Sequence, residues 1–300
     1  MAEKSASGRP VLSAIVVNFN DGANIGRCLS SILDGAKGFP AEVFVVDNAS
    51  SDGSPEEVAR RFPSVRLIRS PENLGFAKAN NLAIRQSRGE FVLCLNTDAA
   101  LLEGTLPALL DEFRLNPRTG IVGPALHDEN NRFQVSFGGR VGFFDELLKK
   151  AILNRNWAKR LRKDRARRKA VWVSGACLLA RREALEAAGL FDEGFFLYFE
   201  DIDLCRRVGE AGWDVVFLPA VQAYHKGGVT TSPHRLRSRL AYRASQLYYY
   251  RKHNSRFSQS LLRSYLSLVF RAMALKPGRT EPGEPGPSRF LELLKKGGGR

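Results

Sequence analysis

"EFVLCLNTD", residues 90–98, is the stretch on which the reading of the fold turns. Phe91 to Leu95 is a short unbroken apolar run, the mark of a strand buried on both faces. The run stops at Asn96-Thr97-Asp98, and apolar residues resume at once in "AALL". A core strand thus delivers a carboxylate at its carboxyl-terminal tip. Asp98 either caps the next segment or belongs to a ligand-bearing edge, and the neighbouring stretches bear on that choice.

Upstream, "VLSAIVVNFN" (11–20), "AEVFVVDNAS" (41–50) and "VRLIRS" (65–70) read as three more strands. Helical patterns separate them: one around Ile25, Leu29 and Leu33, one opened by "SPEE" (54–57), and one over "LGFAKANNLAIRQS" (74–87). In "SPEE", Ser54 as N-cap, Pro55 at the first helical position and Glu57 three residues on predict a capping box. Strands alternating with helices imply an α/β domain with a mostly parallel sheet covered on both faces. Each strand exits into polar residues: Asn18 and Asn20, then Asp47 and Asn48, then Asn73, then Asn96 and Asp98. In open α/β sheets ligands bind beyond the carboxyl ends of the strands. Four such tips together favour a site over four separate caps. Neither a GxGxxG nor a GKS/T signature is present, so no dinucleotide fingerprint or P-loop supports the ligand's identity.

The chain has 300 residues, a formal net charge of +15 and a pI of about 10.0. That charge favours an anionic partner, whether nucleic acid, a phosphorylated small molecule or an acidic membrane face. The four cysteines, Cys28, Cys94, Cys177 and Cys205, form no C-x-x-C pair and read as reduced core thiols. The N-terminus carries no signal-peptide pattern and no apolar run reaches the roughly 20 residues of a spanning helix. The expected location is cytoplasmic, with peripheral contact to the inner membrane face.

The second half is less regular. Residues 149–169, "KKAILNRNWAKRLRKDRARRK", hold eleven Lys or Arg against one Asp. "GLFDEGFFLYFEDIDLCRRVGEAGW" (189–213) is aromatic, then acidic, then helical, with the helix expected to begin just after Glu200-Asp201. "DVVFLPAVQAYHKGG" (214–228) reads as extended structure ending in His225. A basic, aromatic helical extension is expected over 236–275. Within it Phe257, Leu261, Leu262, Tyr265, Leu268 and Val269 make an apolar face flanked by Arg256, Arg263 and Arg271. That face could lie on anionic lipid or dock on the rest of the chain. The Pro/Gly-rich tail, 276–300, is expected to lack order. The resulting division is an α/β domain over 1–235, in halves of about 10–125 and about 126–235, followed by the extension and the tail.

The ordered set "IVVNFN", "VVDNASSDGS", "NLGFAKANN", "LNTD", "VSGACLLARR", "GLFDEGFFLYFEDIDLCRR", "AGW" and "HKGG" resembles the family 2 inverting glycosyltransferases, in their bacterial rhamnosyltransferase-like branch. The resemblance covers about residues 11–228. It implies the GT-A fold, with 1–235 as the catalytic domain, its nucleotide-binding half at about 10–125 and its acceptor half at about 126–235, and it implies a dTDP- or UDP-sugar donor, a divalent Mg²⁺ or Mn²⁺ ion, and a glycan or polyprenyl-linked acceptor. It places Asp98 at the last acid of the family's D-x-D motif, as metal ligand, with Asn96 standing where the first acid usually is, against the donor ribose or a metal-bound water. It puts Asp47, with Asp52 nearby, against the donor's pyrimidine ring, and Asn20, Asn48, Asn73, Gly75 and Asn80 around the nucleotide. It makes Asp201 the base and has Glu200 orient the acceptor or the motif itself, with Asp203 and Arg206 as braces. It sets His225 near the metal or diphosphate and makes Gly175 a low floor of the sugar pocket.

The residue types suit that chemistry independently. A diphosphate leaving group gains negative charge, which a cation held by hard oxygen ligands neutralises. An inverting transfer needs one base for the acceptor hydroxyl, and a carboxylate at a pocket edge can serve. Plain structural readings compete: an Asx-turn for Asp47 and Asp52, a turn glycine at 75, helix-terminal acids at 200–201, and strand packing at Gly175. A nucleic-acid-binding protein is the alternative from another class. It rests on net charge and the 149–169 run, but Trp157 is the run's only aromatic residue and no recognised binding module accompanies it. No nucleic-acid partner is expected.

Overall fold

A computed structural model describes residues 9–144, 165–227, 235–274 and 287–296. Most of the basic run at 149–169 lies outside the described residues. Contacts divide the chain into two compact units. The first takes in residues 1–139, 155–193 and 201–227, and the second 140–154, 194–200 and 228–300.

The first unit is a sheet with helices on both faces. Its early elements follow the alternation in the sequence: β1 (Leu12–Asn18), α1 (Gly22–Gly35), β2 (Ala41–Asp47), α2 (Ser54–Arg61), β3 (Arg66–Arg69), α3 (Gly75–Gln86) and β4 (Phe91–Leu95). There follow β5 (Ala99–Leu101), α4 (Thr105–Leu115) and β6 (Thr119–His127). Then come the short strands β7 (Phe133–Gln134), β8 (Phe137–Gly138), β9 (Arg168–Lys169) and β10 (Trp172–Val173). The unit closes with β11 (Cys177–Arg181), α5 (Arg182–Ala187), α6 (Glu200–Glu210, whose first residue groups with the second unit) and β12 (Asp214–His225).

The main sheet runs in the order β3-β2-β1-β4-β11-β6-β12-β5. Strands β1 to β4 are mutually parallel, so their carboxyl ends share one edge, as expected. The rest is mixed rather than parallel. Strand β11 runs antiparallel to β4 and β6, and β5 antiparallel to β12. Only Asn96-Thr97-Asp98 separates β4 from β5. Three residues cannot make a crossover, so the chain must turn away from β4's direction.

The opening stretch is buried on both sides by strand alternation. Phe91, Leu93 and Leu95 pack into one core with Ile25, Leu29 and Val58. Val92 and Cys94 pack into the other with Ala79, Ala83 and Leu204. Period-two side chains therefore feed two cores, one beneath each helical layer. All four cysteines are buried and reduced, and burial pushes the Cys94 and Cys177 thiols up to about 12.

The second unit is helical: α7 (Arg235–His253), α8 (Arg256–Ala274) and α9 (Pro287–Lys296). Helix α9 corrects the expectation of a wholly unordered tail. Its Phe290 ring stacks on Phe270 of α8 at 4.5 Å, and Arg263 donates to the Leu294 carbonyl at 3.2 Å. The apolar face foreseen on α8 divides. Leu262 of that face is buried, and Leu266 and Phe270 from outside it join at helical spacing, whereas Phe257 and Leu268 are 67% and 68% exposed.

Residues 194–200 join this unit because their rings pack there. Phe195 meets Tyr248, Phe199 meets Tyr242 and Tyr249, and Ser245 donates to the Leu197 carbonyl at 2.8 Å. Tyr198 and Phe199 both adopt left-handed backbone, at φ 70° and 68°. That conformation is costly for residues other than glycine.

Candidate active site

The polar residues at the tips of β1 to β3 knit their loops together. Asn18 donates to Asp47 Oδ1 at 2.9 Å and to Ser54 Oγ at 2.7 Å. Asp47, 3% exposed, also accepts the Ser50 N–H at 3.2 Å. Asn20, exposed and at φ 52°, accepts the Ser51 N–H at 2.7 Å. Asn48 is buried and donates to the Gly75 carbonyl at 3.1 Å. Asn73 accepts the Gly75 N–H at 2.9 Å, and Gly75 opens α3 at φ 77°, where only glycine is unstrained. Asn80 turns back to the Phe76 carbonyl within α3. These residues therefore share one edge, with much of their hydrogen-bonding capacity used between loops.

The capping box at 54–57 does not form. Helix α2 begins at Ser54, and Gly53 holds the cap position with φ 79°. Asp52 takes the capping role. Its Oδ1 accepts the Ser54 N–H at 3.1 Å, and its Oδ2 accepts the Gly22 N–H at the start of α1 at 2.9 Å. Burial alone would raise the Asp52 carboxyl, but the donors from Ser54 and Gly22 outweigh it and hold the group below its ordinary value.

The tip of β4 meets the end of β12. His225 pairs in register with Ala99, and the Lys226 N–H donates to the Asp98 carbonyl at 2.9 Å. The two side chains converge, with His225 Nε2 3.4 Å from Asp98 Oδ1. Burial pushes the Asp98 carboxyl up, but the hydrogen bond and charge of His225, with the Gly227 N–H, prevail and hold it below the ordinary range. Two residues that the sequence reading missed complete this corner. Asp21 accepts from Thr97 Oγ1 and from Asn24, each at 2.5 Å, and burial raises its carboxyl despite those bonds. Gln134 faces the other ring nitrogen of His225 at 2.6 Å.

Hydrogen bonds carry the same edge to Asp201. Asn96 donates its N–H to the Ala176 carbonyl at 3.0 Å. Next to Ala176, the Gly175 N–H donates to Asp201 Oδ2 at 2.8 Å, and the Ile202 N–H donates to Asp201 Oδ1 at 2.8 Å. Desolvation outweighs both bonds and raises the Asp201 carboxyl above its ordinary value. A Cβ at Gly175 would stand 3.2 Å from Asp201 Cβ and 3.5 Å from Phe76. The missing side chain at 175 thus lets the acid approach.

Helix α6 starts at Glu200 itself rather than after the acidic pair, and Glu200 is 5% exposed. Of the expected braces, Asp203 is buried and pairs with Arg207 at 2.7 Å, while Arg206 pairs with Glu210 one turn on. Asn81, another residue the sequence reading passed over, anchors the approach to this motif. It accepts the Phe191 N–H at 3.1 Å and donates to Glu193 at 2.9 Å.

Among the described residues no three His, Cys, Asp or Glu side chains form a metal cage. Asp98 and His225 still fit a divalent ion whose remaining ligands are water and substrate phosphate, the usual arrangement for Mg²⁺ with nucleotides. Both side chains are mostly buried, and a carboxylate oxygen and a ring nitrogen converge from different strands.

A profile of Glycosyl transferase family 2 matches residues 13–189, more than half of the chain. The chain belongs to glycosyl transferase family 2. This family 2 enzyme is 34% identical over 233 residues to the N-acetylglucosaminyl-diphospho-decaprenol L-rhamnosyltransferase of Mycobacterium tuberculosis, covering 72% of this chain and 76% of that one. It is 28% identical to the O-antigen biosynthesis protein RfbC of Myxococcus xanthus, over 73% of this chain and 17% of that protein. Two solved glycosyltransferases share its GT-A fold. The Pyrobaculum calidifontis mannosyltransferase PcManGT, in complex with GDP-Man and Mn²⁺, has a TM-score of 0.56 at 22% identity, over 96% of this chain and 80% of that chain. GalNAc-T7, with UDP, GalNAc and Mn²⁺, has a TM-score of 0.57 at 16% identity, over 72% and 44%.

Proposed function

We propose that this glycosyltransferase moves a sugar, rhamnose, from a dTDP- or UDP-activated donor onto a diphospholipid-linked glycan, with inversion and with a divalent ion. The observation that carries the reading is the convergence of Asp98 with His225 on the sheet edge that also bears Asp201. The mycobacterial relative's name supports the sugar and the lipid-linked acceptor.

In the proposed reaction the acceptor hydroxyl oxygen attacks the anomeric carbon while the bond to the diphosphate breaks. Asp201 takes the hydroxyl proton. Its raised proton affinity makes it a stronger base than an exposed carboxylate. Gly175 and Ile202 fix both its oxygens. Asp98 and His225 would hold Mg²⁺ or Mn²⁺, which supplies positive charge for the leaving diphosphate. Asp47, Asn48 and Asn73 order the loops against which the nucleoside would rest.

No helix among the described residues is long and apolar enough to cross a membrane. The exposed Phe257 and Leu268 on α8, with Arg256, Arg263 and Arg271, fit contact with an anionic lipid surface where such an acceptor resides. Among the described residues no observation favours the nucleic-acid alternative over this reading.

The test is transfer by the purified full chain from a panel of dTDP- and UDP-sugars to N-acetylglucosaminyl-diphospho-polyprenol, with and without Mn²⁺. The expected product carries rhamnose with its anomeric configuration opposite to the donor's. Retained configuration, metal-independent transfer, or absence of transfer from every donor would each overturn the corresponding part of the reading.

A further inference from the structure

We propose that Gln134 is a positioning residue that locks the His225 ring with its proton on Nδ1, leaving Nε2 as the nitrogen that faces Asp98 and a bound cation. The inference rests on the proposed metal requirement and adds the device that prepares one ligand.

The argument begins with the amide. Gln134 Nε2 lies 2.9 Å from the His225 backbone carbonyl, which can only accept a hydrogen bond. The amino group must therefore face that carbonyl, and the orientation of the side chain follows. Its Oε1 is then the atom 2.6 Å from His225 Nδ1. A carbonyl oxygen can only accept, so Nδ1 must carry the proton. In the neutral ring the other nitrogen, Nε2, then has a lone pair, and it faces Asp98 Oδ1 at 3.4 Å. That nitrogen and that carboxylate oxygen are placed to share one cation between them, a proton or a metal ion.

The fold holds this clip on regular structure. Gln134 lies in β7, paired in register with Leu126 of β6, and β6 in turn pairs with β12, which ends at His225. Gly227 completes it. A Cβ there would come within 2.6 Å of Gln134 Nε2, and the residue has φ 59°. Ligating histidines generally have the far nitrogen fixed by such a partner, and losing the partner costs roughly 10–100-fold in metal affinity.

The test uses the full-length chain labelled with ¹⁵N-histidine, and reads His225 from two-bond ¹H–¹⁵N spectra at pH 8, with and without Mg²⁺. Nδ1 should be protonated in both conditions. Gln134→Met removes both amide contacts at similar length, and should lose the fixed Nδ1–H and weaken Mn²⁺ binding with dTDP about 10–100-fold by electron paramagnetic resonance. Gln134→Glu keeps an acceptor toward Nδ1 and should retain the Nδ1 proton, which separates the clip from general packing and serves if the Met variant is poorly folded. An unprotonated Nδ1 in the unsubstituted chain overturns the proposal without reference to metal. So does a folded Gln134→Met chain with unchanged ring protonation and Mn²⁺ affinity. Failure of the unsubstituted chain to bind Mn²⁺ with dTDP, Nδ1 being protonated, would instead overturn the metal reading and the purpose assigned to the clip.

Discussion

Replacing Asp201 by Asn should slow sugar transfer severely while leaving the folded state no weaker at neutral pH. The carboxylate accepts two N–H groups, from Gly175 and Ile202, at 2.8 Å each. Asparagine offers one acceptor oxygen and must turn its amino group toward the other donor. One hydrogen bond to a charged group is lost, a contribution of about 1.5–3 kcal/mol. Against this, the substitution removes a carboxylate whose burial already outweighs those bonds, as its raised proton affinity shows. An acid with a raised folded-state pKa binds more protons when folded, so its contribution to stability is full below the unfolded pKa, about 3.9. It falls as pH rises through the folded value. Asparagine has no such loss. The variant's melting temperature relative to the unsubstituted chain should therefore be more favourable at pH 7–8 than at pH 3–4. Transfer should fall by about 10²–10⁴-fold, the range for loss of a general base, or roughly 3–5 kcal/mol at 1.36 kcal/mol per tenfold. Single-turnover transfer at saturating donor and acceptor, with donor affinity and melting curves alongside, makes the check. Near-normal transfer by Asp201→Asn, with a severe loss in Glu200→Gln, would exchange the roles of the two acids. An equal loss of donor affinity would refute the assignment of Asp201 to the proton.

Asp98→Ala should abolish Mn²⁺-dependent donor binding in calorimetry while circular dichroism stays unchanged, because the side chain sits at a strand tip outside the cores. Gly175→Ala puts a methyl group 3.2 Å from Asp201 Cβ; turnover should drop with little change in donor affinity, and stability should fall by about 1–3 kcal/mol in urea unfolding. The double substitution Phe257→Ser and Leu268→Ser should lower retention on anionic liposomes without lowering the melting temperature, since both side chains are largely exposed. Unchanged retention would remove α8 from the membrane reading.

What the sequence made legible was local and periodic. The apolar run from Phe91 to Leu95 and its alternation between two cores follow from short-range pattern, as do the polar tips of β1 to β4. Asp98 and His225 could each be picked out singly, and the structure brings them together. Contacts between distant segments were not legible. Gln134 reaches His225 across 91 residues, and nothing in its neighbours' periodicity marks it. Asp21 binds Thr97 across 76 residues in the same way. Local competition misled the capping assignment: Ser54 fits an N-cap by type, but Asp52 already reaches the N–H groups of two helices. In the tail, proline and glycine dominated the composition and hid the apolar spacing of "PSRFLELLKK", which becomes helical against α8.

The two left-handed residues before the acidic pair bear on how this enzyme ages under heat. Tyr198 and Phe199 each hold a backbone conformation that costs roughly 1–2 kcal/mol outside glycine, and ring contacts with Tyr242 and Tyr249 keep them there. A strained segment secured by side-chain packing opens locally at lower cost than a fully packed sheet core. Thermal inactivation should therefore precede unfolding: residual activity after brief heating and cooling under assay would decline at temperatures where the far-ultraviolet spectrum of the sheet is still intact. Coincident midpoints for the two curves would mean that this turn shares the cooperativity of the core, and shelf life would then be a property of the whole fold rather than of two peptide units.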